Sequence, residues 1–231
     1  NHFADIIKQS EAGGVLVVHF AALMYYLAHV IKIDKLDTPK VINFTGMGSK
    51  YINIISPAKN QIEDIIKYIF KYVGLNDADD VKVSLERNPK EVTAIGALYM
   101  LDNRTTQISL PASKNVYCIK GEDEMDDAPT YKYAIEEECQ QKTLEQTMDF
   151  LNLLGDGQFR NIIVNSGINF SLETLRDCGL TKESLLSSYI SMTDNFKKYS
   201  DQDKKQKLKD APFFWTLKET LYKVANIIGS K

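Results

Sequence analysis

The chain has 231 residues, 28 Lys and Arg against 31 Asp and Glu for a net charge of −3, and 44% apolar residues. That length holds one large or two small domains, its composition is that of soluble globular proteins, and its slight acidity leaves no electrostatic footprint for nucleic acid. Three dispersed cysteines, Cys118, Cys139 and Cys178, without Cys-x-x-Cys spacing, argue against a zinc site and predict a reduced, cytoplasmic setting.

The segment Gly13 to Ile31 has no charged residue if its histidines are neutral, and about twenty apolar residues suffice to span a bilayer. It lies too far from a positively charged start to be a signal peptide. His19, Tyr25, Tyr26 and His29 interrupt it, and it leads directly towards an apolar strand. The prediction is a buried core helix and no membrane span. The two histidines, without Cys or carboxylate neighbours, are expected to be satisfied core or boundary residues.

Val41, Ile42 and Phe44, bounded by Pro39 and Gly46, read as a short strand buried in a sheet. Gly46 and Gly48 let the backbone turn sharply and let a ligand approach the peptide groups. A helix beginning near Ser49 would point unpaired N–H groups back towards that turn. The same residues also fit an ordinary strand-to-helix turn without a ligand. The run is neither a Walker A loop, since Gly-x4-Gly-Lys-Ser/Thr is absent, nor a dinucleotide fingerprint, since Tyr51 occupies the third glycine position. Ile62, Ile65, Ile66, Ile69, Phe70 and Val73 then recur at helical spacing, and Val81-Lys-Val-Ser-Leu85 alternates as a strand does. Asn88, Pro89 and Glu91 make a capped helix start, and Ala94, Gly96 and Ala97 give that helix a thin face.

Lys40-Val-Ile-Asn-Phe-Thr-Gly-Met-Gly-Ser-Lys50 and Asn88-Pro-Lys-Glu-Val-Thr-Ala-Ile-Gly-Ala97, with a helix and a strand between them, resemble the closing part of the actin-like ATPase fold. That superfamily includes heat-shock chaperones, actin, bacterial filament proteins and sugar kinases. The chaperones carry Gly-Gly-Ser after a strand, then a helix, a strand and Asn-Pro-Asp-Glu-Ala-Val-Ala-x-Gly-Ala. The resemblance implies that Gly46, Met47, Gly48 and Ser49 form the adenosine-contacting loop and that Lys50 or Tyr51 packs on the base. Met47 replaces the usual second glycine, which puts close backbone approach in question. The superfamily's phosphate hairpins have one formal match, Asp177-Cys-Gly-Leu-Thr181, but it follows the helix-like Leu172, Leu175 and Arg176. Gly179 reads as a helix C-cap and Thr181 as the cap of the next helix. Starting at Asn1 in mid-domain, the chain is expected to be a fragment without the phosphate and magnesium machinery, with no catalytic residue and no metal ligand of its own.

From residue 105 the resemblance ends. Val116-Tyr-Cys-Ile119 and Tyr131-Lys-Tyr-Ala-Ile135 predict paired strands. The acidic Gly121–Pro129 connection between them lacks EF-hand spacing and reads as a solvated loop, or as a receiver for a basic partner. Leu144, Met148, Leu151 and Leu154 predict a helix that breaks at Gly155-Asp-Gly157, and Ile162-Ile-Val164 fits strand or helix. Leu172 to Cys178, Glu183 to Tyr199 and Phe213 to Ile228 predict further helices, with Lys197 to Asp210 a solvated helix end and linker. Phe213, Phe214, Trp215, Leu217, Leu221 and Val224 are expected to close a small helical core; an aromatic docking surface is the other reading of that cluster. There is no internal repeat or low-complexity tract.

The fold class expected is therefore α/β: residues 1–104 as the C-terminal portion of an actin-like (ribonuclease H-like) ATPase lobe, 105–142 as a strand pair with an acidic loop, and 143–231 as a mainly helical appendage. The implied cofactor is ATP or ADP with Mg in the full-length protein, where hydrolysis drives conformational switching or assembly. The implied partners are the missing N-terminal part of the chain and a protein bound by the appendage, with no nucleic acid and no membrane. The alternative is a non-enzymatic interaction module that keeps the fold without turning over nucleotide; a sugar or acyl kinase and a membrane-anchored protein are the remaining readings.

Overall fold

A computed structural model describes residues 2–46, 49, 51–55, 59–85, 119–120, 134–135, 137–196 and 212–230. These residues are mostly helical, with one small parallel strand pair near the N-terminal end. Helix α1 (His2–Gln9) turns at Ser10 into the long helix α2 (Glu11–Ile33). Ser10 is extended (φ −96°, ψ 162°), and its hydroxyl donates to the Ile7 carbonyl at 2.8 Å. The corner requires glycine at 13, because a Cβ there would lie 2.7 Å from the Ile7 carbonyl oxygen. Helix α2 is long and apolar enough to cross a membrane by length and composition alone. Here it buries Val17, Val18, Phe20, Ala21, Ala22, Met24, Tyr25, Ala28 and Ile31 among the other helices, the role expected of a core helix with apolar residues almost all round.

Strand β1 (Val41–Phe44), the single-turn helix α3 (Ile52–Ile55), helix α4 (Lys59–Val73) and strand β2 (Lys82–Leu85) follow in that order. The strands pair in parallel, Val41 opposite Lys82 through Phe44 opposite Leu85, with α4 in the connection that parallel pairing demands. Ile62, Ile65, Ile66, Ile69 and Phe70 of α4 are all fully buried, as their spacing predicts. Glu63, on the same helix, is 9% exposed; its Oε1 accepts the Val83 N–H at 2.9 Å. That N–H lies on the edge of β2 away from β1, so a carboxylate from α4 seals the edge. β1 differs from its expectation of full burial. Val41 and Asn43 are exposed, while Ile42 and Phe44 are half-buried. A pair of strands gives β1 one covered face, where Phe44 meets Phe20 of α2 with ring centroids 5.9 Å apart.

The expected second strand pair is present as the short antiparallel ladder of β3 (Ile119–Lys120) and β4 (Ala134–Ile135). The rest of those two segments, the acidic Gly121–Pro129 run, the Asn88–Ala97 segment and Lys197–Asp210 lie outside the described residues. Helix α5 (Glu137–Gly155) ends at the predicted break. Asp156 there caps α6 (Gly157–Asn165) by accepting the N–H groups of Gln158 and Phe159 at 2.8 and 2.9 Å, and Ile162–Val164 resolves as helix. Helix α7 (Leu172–Asp177) ends at Gly179, whose φ is +106°, with the Leu180 N–H on the Leu175 carbonyl at 2.8 Å. Thr181 then caps α8 (Lys182–Phe196) by accepting the Ser184 N–H at 3.2 Å. Asp177–Thr181 is therefore a helix-to-helix joint and not a phosphate hairpin.

Helix α9 (Pro212–Gly229) packs against α2 and α8. Phe213, Leu217, Leu221 and Val224, expected to close a small helical core, are buried in the cluster that also contains α2 and α4. The side chains of Phe214 and Trp215 lie outside the described residues. One apolar core thus runs from the parallel strands to the last helix.

Candidate functional site

The turn that leaves β1 is closed locally. Gly46 has φ +77°, a conformation that glycine adopts without the steric cost of a side chain. The Ser49 hydroxyl donates to the Gly46 carbonyl at 2.7 Å and the Ser49 N–H to the same oxygen at 3.1 Å. The Ser49 N–H, at the expected helix start whose unpaired N–H groups were to face the turn, is thus paired within the turn itself. A Cβ added at Gly46 would meet nothing within 4 Å, so the space over that residue is open. Ile52 and Ile55 are buried and pin the single-turn helix α3 beneath it.

Tyr51 is half-buried beside His19 of α2, ring centroids 6.2 Å apart and planes tilted by 59°. Burial pushes the Tyr51 phenol up to about 12, so it stays protonated at neutral pH. Burial also lowers the His19 imidazole, and the Lys218 ammonium of α9 lowers it further. Tyr51, two residues after Ser49, and its neighbour His19 are thus a neutral phenol and a largely neutral imidazole, with a cation from the last helix within electrostatic reach.

Of the six residues expected to form the adenosine loop, the structure describes Gly46, Ser49 and Tyr51 and brings them to the carboxyl end of β1; Met47, Gly48 and Lys50 lie outside the described residues. His19 and Lys218 join them from distant segments. No local motif marks either residue, and only the packing of α9 and α3 on α2 reveals them. Among the described residues no group of three His, Cys, Asp or Glu side chains gathers that could hold a metal ion. Comparison with models of protein families, with curated proteins and with solved structures finds no match, so the geometry and the residue pattern alone carry the functional reading.

Proposed function

We propose that the turn after β1 is the adenosine side of a nucleotide cleft in an actin-like ATPase lobe. In the full-length protein, ATP or ADP with Mg would bind there, and hydrolysis would drive conformational switching or assembly in the cytoplasm. The observation that carries the reading is the glycine turn at the carboxyl end of a parallel β1–α4–β2 unit, the place where open α/β sheets bind their ligands. The resemblance of the Lys40–Lys50 and Asn88–Ala97 segments to the actin-like superfamily adds the nucleotide to that placement. Gly46, Met47, Gly48 and Ser49 would shape the edge of the cleft, with Lys50 or Tyr51 over the base. Phosphate and magnesium contacts would come from other parts of the lobe.

Calorimetric titration of the full-length protein with ADP and ATP in magnesium tests this, beside a Gly46→Val variant. A β-branched residue at φ +77° strains the turn, and its far-UV circular dichroism reports whether the helices survive. Saturable binding that is lost in a folded variant supports the reading. A well-folded native protein that binds neither nucleotide overturns it and leaves the fold as an interaction scaffold.

A further inference from the structure

Away from the turn, α5 is joined to α2 and α4 by polar groups. Asp149 of α5 accepts on both carboxylate oxygens, from the Tyr25 hydroxyl of α2 at 2.7 Å and from the Tyr72 hydroxyl of α4 at 2.9 Å. Near the end of α5 the Tyr68 hydroxyl of α4 donates to Asp156 at 2.5 Å. His29 lies one turn beyond Tyr25, ring centroids 4.5 Å apart, and its Nδ1 is 3.4 Å from Gln146 Nε2 of α5. The His29 Nε2 and the Gln146 Oε1 are buried and have no hydrogen-bond partner among the described residues. His29 is thus not the satisfied core histidine its surroundings in sequence suggested.

Among the described residues, few charged and titratable groups stand about the imidazole. Asp149 faces it from α5 with both oxygens already engaged, and Lys32 of its own helix holds the Val73 carbonyl at 2.6 Å. Tyr25 of α2 and Tyr72 of α4 stand beside it on Asp149, Gln146 lies at its Nδ1, and α9 meets the junction with the apolar ring of Phe213, 5.5 Å from Tyr25. Burial and the Lys32 ammonium bring the imidazole down from 6.5 to about 4 against the opposing pull of Asp149. A proton on this ring would place a cation where the second nitrogen finds no acceptor.

We propose that the His29–Tyr25–Tyr72–Asp149 junction is an acid-opened latch, in which protonation of His29 parts α5 from α2 and α4. Opened, the imidazole is hydrated and takes up its proton near its ordinary value; closed, it refuses it. Acid therefore favours the open form, and closure is unopposed by this group above pH 6.5. The latch is independent of any ligand at the β1 turn.

An acid titration from about pH 8 to about pH 4 tests it on the full-length protein. Near-UV circular dichroism reads the tyrosines, hydrogen exchange reads the α5 amides, and far-UV circular dichroism reads helix content. The native protein should lose its near-UV signal and α5 protection below about pH 6 while keeping its helices. His29→Phe should keep both until the carboxylates protonate. Lys32→Gln retains a donor for the Val73 carbonyl and removes a cation that opposes the proton in the closed form, so its midpoint should move downward, by at most a few tenths of a pH unit. Coincident acid transitions in native protein and His29→Phe overturn the latch, as does a native signal that persists throughout. If His29→Phe does not fold, His29→Gln takes its place, and an acid transition there that coincides with the native one overturns the latch.

Discussion

Replacing Glu63 tests whether the edge of β2 is sealed by a hydrogen bond or by an ion pair. Its carboxylate accepts the Val83 N–H at 2.9 Å in a site only 9% exposed, while Lys82 Nζ stands 3.7 Å from its other oxygen with a side chain 61% exposed. A hydrogen bond to a charged group contributes about 1.5–3 kcal/mol, and leaving a buried N–H unpaired costs about 1–3 kcal/mol. An exposed ion pair adds at most about 1 kcal/mol. Glu63→Ala should therefore lower the unfolding free energy by about 2–4 kcal/mol, against a total of about 5–15 kcal/mol for a domain. Glu63→Gln keeps an acceptor for Val83 and should lose about 1 kcal/mol. Lys82→Ala should cost under about 1 kcal/mol. Urea unfolding followed by far-UV circular dichroism measures all three, with unchanged slopes showing that the compactness of the end states is preserved. If Lys82→Ala costs as much as Glu63→Ala, or Glu63→Ala costs nothing measurable, the edge-sealing argument is wrong.

Two further outcomes follow from the geometry. Gly13→Ala drives a Cβ to within 2.7 Å of the Ile7 carbonyl, so any helix-propensity gain is overridden and thermal unfolding should show a loss of about 1–3 kcal/mol. Asp156→Ala removes the cap of α6 and the acceptor of Tyr68, and urea unfolding should show a loss of about 1–2 kcal/mol. The Tyr68 hydroxyl and the Phe159 and Gln158 N–H groups hold the Asp156 carboxyl below its ordinary value of 3.8. A depressed carboxyl contributes its stability above 3.8 and loses it as pH falls through the lower folded value, so the gap between native and variant should close in that window.

Local chemistry was legible in the sequence wherever a residue's role depends on its near neighbours. The isoleucines of α4, the break at Gly155–Gly157, the C-cap at Gly179 and the cap at Thr181 all follow from periodicity or from side-chain reach over a few residues. Periodicity names a face without saying what covers it. That is why β1 reads as buried while Val41 is 58% exposed, and why the apolar face of α9 reads as core without revealing that α2 covers it. Polar pairing across the chain is harder still. His19 reaches Tyr51 and Asp149 reaches Tyr25 and Tyr72 only once α2, α4 and α5 are packed, so neither cluster leaves a local motif. The turn itself was visible from its glycines, but the turning back of the Ser49 N–H onto Gly46 was not.

The central claim, that nucleotide binds at the β1 turn, is tested most directly by hydrogen exchange of the full-length protein with and without saturating ADP and magnesium. The account predicts slowed exchange across Phe44 to Tyr51 and at the neighbouring middle of α2 around His19. Nucleotide binding that protects other segments and leaves both of these unchanged would contradict it.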